Sequence, residues 1–145
     1  MSAPLLQRRH LIAASAIGFC PLDLFAQPST LALLREGGLV LALRHALAPG
    51  TFDPPAFRLG DCSTQRNLDD SGRQQARQIG GWFQAQGLQP AHVRSSPWCR
   101  CLDTARLAFG PHETWAALGS PQGATEATNA AGLQALRAGV QSDAR

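Results

Sequence analysis

Apolar and polar positions alternate between helical and strand-like spacing along the chain. Residues Ser29 to Glu36 (STLALLRE) read as a short helix, with Ser29 as a capping residue and Gly37-Gly38 as the stop. Leu39 to Leu43 (LVLAL) is a continuous apolar run bounded by glycines. Such a run predicts a parallel strand buried on both faces. It ends at Arg44-His45, and open α/β sheets bind ligands at the carboxyl ends of their strands. Residues 46–65 form a loop, because Pro49, Gly50, Pro54, Pro55 and Gly60 break any period. A loop of that length in a compact domain generally serves a site.

The next helix starts at the Asp69 cap and runs to about Gln86, with Ala76, Ile79 and Phe83 on its apolar face and Gly87 as its end. A short strand over Ala91–Arg94 leads into Ser95-Ser96-Pro97. Ser96 as cap and Pro97 at the first helical position predict a helix to Phe109, before Gly110-Pro111. A weaker strand is expected over Glu113–Leu118, and a last helix over Thr125–Ala138. Helix, strand, long loop, helix, strand, helix, strand, helix is the order of an α/β fold with a parallel sheet.

The first 26 residues have a different character. Arg8-Arg9 precede an apolar stretch from Leu11 to Phe19, Pro21 breaks it, and Ala26 is a small residue before Gln27. A positive flank, a short apolar region and a small-residue exit describe an export signal, and the adjacent arginines fit the twin-arginine type. The competing reading is an amphipathic helix packed on the domain. Export implies a periplasmic or secreted protein, with the domain over 27–145 and no stable membrane span once the signal is removed.

Composition narrows the classes. The chain has 145 residues, enough for one domain. At 44% hydrophobic and 16% charged it is globular rather than disordered. All 13 basic residues are arginine, yet they are scattered and the net charge is only +3, so a nucleic-acid partner is not expected. Beyond the export segment three cysteines remain: Cys62, Cys99 and Cys101. In an oxidising compartment Cys62 and Cys99 can pair across two loops, or all three can remain thiols. Cys-x-Cys alone does not make a zinc site.

Three short segments carry candidate chemistry. His45, behind a buried strand and next to Arg44, has the placement of an imidazole nucleophile beside a phosphate-holding guanidinium. Ser95-Ser96-Pro97-Trp98-Cys99-Arg100 opens a helix, and Arg100 can join Arg44 on one anion. The alternative for Arg100 is a solvated helix charge paired with Asp103 or Glu113. The third segment joins Arg66-Asn67-Leu68 to Gly72-Arg73-Gln74-Gln75-Ala76.

In this order the three segments resemble the histidine phosphatase superfamily, which includes phosphoglycerate mutases and acid phosphatases. The family's Arg-His-Gly stands here as Arg44-His45-Ala46, and its leucine with Gly-Arg-x-Gln-Ala as Leu68 with Gly72–Ala76. Its Ser-Ser-Pro-x-x-Arg and Thr-Ala stand as Ser95–Arg100 and Thr104-Ala105. The resemblance covers roughly residues 38–110. It implies a three-layer phosphoglycerate mutase-like fold and a phosphomonoesterase acting on a small phosphorylated substrate. His45 becomes the nucleophile that forms a phosphohistidine, and Arg44 and Arg100 bind the phosphoryl oxygens. No metal or other cofactor is implied, because the arginines supply the positive charge.

A carboxylic acid must protonate the leaving oxygen. Glu126 is the candidate, in the same region as Glu113; Asp53 and Asp61 lie in the loop, and no motif chooses among the four. The chain departs from the family in lacking its second, late Gly-His: His10, His92 and His112 do not match it. The last sheet strand is therefore expected to be missing and the domain to be incomplete at its C-terminal side. Two other readings stand beside the phosphatase. One is a degenerate member that binds phosphate ligands without turnover. The other is a small exported thiol protein in which Arg100 depresses the thiol pKa of Cys99 or Cys101.

Overall fold

Local capping chemistry sets most helix boundaries in the computed structural model, which describes residues 29–119 and 124–143. The expected export segment, 1–26, lies outside the described residues. Helix α1 (Thr30–Glu36) starts where the Ser29 hydroxyl accepts the Ala32 N–H, and Gly37 and Gly38 turn the chain at φ +77° and +67°. Helix α2 (Asp70–Ala85) starts where the Asp69 carboxylate accepts the Gly72 N–H at 2.7 Å. It closes at Gly87, whose positive φ lets Leu88 N–H reach the Phe83 carbonyl at 2.9 Å and Gly87 N–H reach that of Gln84 at 3.0 Å. These boundaries follow the sequence to within a residue.

Helix α3 (Cys99–Phe109) departs from expectation. It begins after Trp98, and Ser96 does not cap it. The side chain of Gln65 does so from across the fold, its Oε1 accepting the Cys99 N–H at 3.0 Å. Ser96 and Pro97 remain outside the helix, because a long-range acceptor and the Cys62–Cys99 bond fix its first residue instead.

Strand β1 (Arg94–Ser95) pairs in parallel with β2 (Glu113–Thr114), Arg94 opposite Glu113 and Ser95 opposite Thr114, with α3 as the crossover. Both strands are shorter than expected. Pairing at β1 starts at the end of the predicted segment, and the chain after β2 winds into a 3₁₀ turn over Ala116–Leu118. Helix α4 (Glu126–Asp143) runs past its expected end at Ala138 and buries no residue. It is held by Trp115, whose ring lies against Gly139, and by Arg94, which pairs with Asp143 and, at 3.2 Å, with Glu113. Arg94 also stacks over Trp115, 4.9 Å from its ring centre.

The LVLAL segment does not become a buried strand. Residues 39–43 have no ladder partner among the described residues, and Leu39, Val40, Leu41 and Leu43 are about half exposed. An apolar run makes a central strand only if other backbones offer it hydrogen bonds on both sides. Each strand of the two-stranded sheet keeps a free outer edge, yet residues 39–43 add to neither among the described residues. The α/β class holds in a coarser form, as helices around a small parallel sheet.

The core is small and lies under the loop that follows His45. Ala46, Ala48, Leu68 and Ala76 form its buried cluster, with Leu107 of α3 against it. Helices α2 and α3 meet at Gly80, where a methyl group would overlap the Ala108 carbonyl, and at Phe83 and Phe109, whose rings pack edge to face at 5.1 Å. Among the described residues no helix is long and apolar enough to cross a membrane.

Candidate active site

The chain leaves the LVLAL segment at Arg44 and enters a cleft of about 460 Å³, lined by Arg44, His45, Ala46, Leu47, Ala48, Gly50, Arg66, Ser71 and Gln75. The motif residues converge on the backbone just after His45. Ala46 N–H donates to the Thr104 hydroxyl at 3.0 Å, and that hydroxyl donates to the Arg100 carbonyl at 2.7 Å. Leu47 N–H donates to Gln75 Oε1 at 2.7 Å. The Gln75 and Thr104 side chains thus satisfy two backbone donors of a segment outside any sheet. Ala46 stands where the family has glycine, and its φ is negative, so the turn does not require glycine here.

Gly72 explains the glycine of the helix-opening motif. A methyl group there would overlap the Leu47 carbonyl oxygen and lie 2.9 Å from its carbon. Gly72→Ala is therefore expected to destabilise the fold by about 1–3 kcal/mol, the usual cost of overpacking, despite alanine's better helix propensity. Gly81, on the same helix, meets nothing within 4 Å. Gly81→Ala is expected to stabilise by about 0.5–1 kcal/mol. Urea denaturation of the two variants checks this; shifts of the same sign would contradict the close approach.

His45 is half-buried. Its Nδ1–H donates to the Ala46 carbonyl at 2.7 Å, which leaves Nε2 as the nitrogen with a free lone pair. Burial pushes the His45 pKa below 6.5, and the positive charges of Arg100, Arg66 and Arg44 push the same way, against the Ala46 hydrogen bond. Both effects favour the neutral imidazole.

The two expected phosphate ligands differ in burial, although both act on His45. Arg44 is exposed and lines the cleft. Arg100 is not a solvated helix charge. It is buried behind the cleft, its Nη1 donating at 3.0 Å to Asp53 and its guanidinium stacked 4.5 Å from the Trp98 ring centre. Asp103 pairs with Arg106 and Glu113 with Arg94. Glu126 sits exposed at the start of α4 and does not line the cleft. Asp61 caps the 3₁₀ turn Cys62–Thr64, and Asp53 accepts from Arg100 and from the Arg66 N–H at 2.9 Å. Arg66, quoted within a motif but given no role from sequence, does line the cleft.

Cys62 and Cys99 form a disulfide with their Cα atoms 5.6 Å apart, and Cys101 is free. This corrects the thiol reading: Cys99 carries no thiol, and burial raises the Cys101 pKa against the opposing effect of Arg100. The bond joins the loop bearing Arg66 to the first residue of α3.

His45 and the arginines Arg44 and Arg66 share one cleft on an α/β scaffold. The model of the histidine phosphatase superfamily (branch 1) matches residues 42–119, and the chain belongs to that superfamily. Neither a curated protein nor a solved structure matches it.

Proposed function

We propose that this protein is an exported phosphomonoesterase that hydrolyses its substrate through a phosphohistidine on His45. The observation that carries the reading is the Nδ1–H to Ala46 carbonyl bond, which leaves Nε2 free in a cleft lined by arginine. The Nε2 lone pair attacks phosphorus, the ester P–O bond breaks, and the leaving oxygen takes the electron pair and then a proton from solvent. Water then attacks the phosphohistidine and the P–N bond breaks, which releases inorganic phosphate and restores the imidazole. Arg44 holds phosphoryl oxygens in the cleft, while Arg100, paired with Asp53, helps to hold the His45 pKa down. The Cys62–Cys99 disulfide supports the export reading, because such bonds persist in oxidising compartments.

The test is a rapid quench of the protein with an aryl phosphate, followed by mass spectrometry under non-acidic conditions. One phosphoryl group on the peptide containing His45 is expected. A protein that turns over without that adduct, or with the group on another residue, excludes the mechanism.

The reading also sets a pH dependence. Protonated His45 cannot attack, so activity falls as pH drops through its depressed pKa, which lies below 6.5. An NMR titration of the ring is expected to give a midpoint below that value; a midpoint above it would contradict the buried, arginine-flanked setting. The same shift affects stability. The unfolded chain binds this proton more readily than the folded one, so His45 subtracts stability as pH falls below about 6.5.

A second reading is a member that binds phosphate esters without turnover. The exposed, unpaired backbone of residues 39–43 favours it, because the nucleophile is braced after His45 and not before it. Loss of positional order lowers catalysis far more than binding. Binding of inorganic phosphate with no phosphoenzyme under the quench conditions is the outcome that separates this reading from the first.

A further inference from the structure

Arg66 is the most firmly placed cation of the cleft. Its N–H donates to Asp53 Oδ1 at 2.9 Å, its carbonyl accepts from Arg100 Nη1 at 3.5 Å, and its own Nη1 donates to the Ala48 carbonyl. The loop that carries it is tied to α3 by the Cys62–Cys99 bond and by the Gln65 cap on Cys99 N–H. Asn67 Nδ2 adds a bond to the Cys62 carbonyl at 2.6 Å.

These contacts leave one edge of the guanidinium unengaged. Arg66 Nε is buried and has no hydrogen-bond partner among the described residues. With Nη1 turned to Ala48 and Nε closed off from solvent, Nη2 is the donor left for a ligand of the cleft, and it can give a charge-assisted hydrogen bond to a phosphate oxygen. Charge points the same way. Asp53 balances Arg100, both side chains being at least nine-tenths buried, yet it takes only the main-chain N–H of Arg66. No carboxylate pairs with the Arg66 guanidinium among the described residues. A half-buried cation without a counter-ion is costly until an anion arrives.

We infer that Arg66 binds the phosphoryl group directly, its Nη2 taking an oxygen while Arg44 approaches from the exposed side of the cleft. Two cations without carboxylate partners then face the two negative charges of a phosphomonoester, which makes the dianion the preferred ligand class over singly charged diesters. The inference rests on the proposed phosphoryl site and adds to it a residue that the motifs of the family do not single out.

Inorganic phosphate is the probe, titrated by calorimetry into the oxidised full chain and its Arg66→Lys and Arg66→Gln variants. Arg66→Gln is expected to weaken binding at least about tenfold, the scale of a lost charge-assisted hydrogen bond, and Arg66→Lys to fall between it and the parent. Because Arg66→Gln also removes the bond to Ala48, the parent protein supplies a second readout. In a ¹H–¹⁵N spectrum its Arg66 Nε–H signal, assigned by its absence in Arg66→Lys, is expected to shift as phosphate binds the same guanidinium. Phosphate binding unchanged in both variants, with that signal unmoved, overturns the role of Arg66 and leaves the proposed function intact. A parent protein that binds no phosphate overturns both.

Discussion

His45→Ala is expected to lower hydrolysis of an aryl phosphate by about a thousandfold or more, with little change in stability. Loss of a covalent nucleophile removes the reaction path itself, and what survives comes only from groups that position the ester. In this cleft those groups are arginines: Arg44 and Arg66 in the lining, with Arg100 behind it. Phosphate affinity in His45→Ala is accordingly expected to stay within a few-fold of the parent, since binding and chemistry reside on different side chains. Among the described residues the ring bonds only the neighbouring Ala46 carbonyl, so removing it opens no distant contact there. His92→Ala, at an exposed position outside the cleft, serves as the control and is expected to retain parental rates. Rates of His45→Ala and the parent that agree within error would eliminate the phosphohistidine route.

The second large effect concerns the disulfide. Cys62 and Cys99 are 37 positions apart, and a closed loop of that size is expected to contribute about 3–4 kcal/mol through restriction of the unfolded chain. Among the described residues, the buried cluster beside His45 consists of three alanines and one leucine. A contribution of that size is comparable with the whole stability of many small domains. Reduction, or the Cys62→Ser/Cys99→Ser pair, is therefore expected to lower the urea midpoint strongly, whereas Cys101→Ser is not. Activity is expected to fall before global unfolding, because the same bond anchors the Arg66 loop to α3. Coincident urea transitions with and without reductant would refute both statements. Alkylation of Cys62 and Cys99 in unreduced, denatured protein would refute the bond itself.

Much of the local structure was legible because its causes are local. Ser29, Asp69 and Gly87 act within four residues of themselves, so the boundaries of α1 and α2 could be read directly. His45 and Arg44 were legible for another reason: ionisable residues behind an apolar run have few structural uses. The start of α3 was not legible, since its cap comes from Gln65, and no local pattern announces an acceptor 34 residues away. The fate of LVLAL was misread for a related reason. Its apolar content satisfies the side-chain requirement of a buried strand, but burial also needs neighbouring backbones, which the run itself does not supply.

The sequence alone determined the α/β class and the superfamily and pointed to His45 as the candidate nucleophile, because those depend on residue order and short-range spacing. Tertiary structure decided which guanidinium faces the cleft and which is buried on Asp53, which cysteines are bonded, and why Gly72, Gln75 and Thr104 belong to the motifs. Each of these is a contact between segments 25 or more residues apart. Such contacts are set by how helices and loop pack together, and spacing along the chain carries no record of that packing.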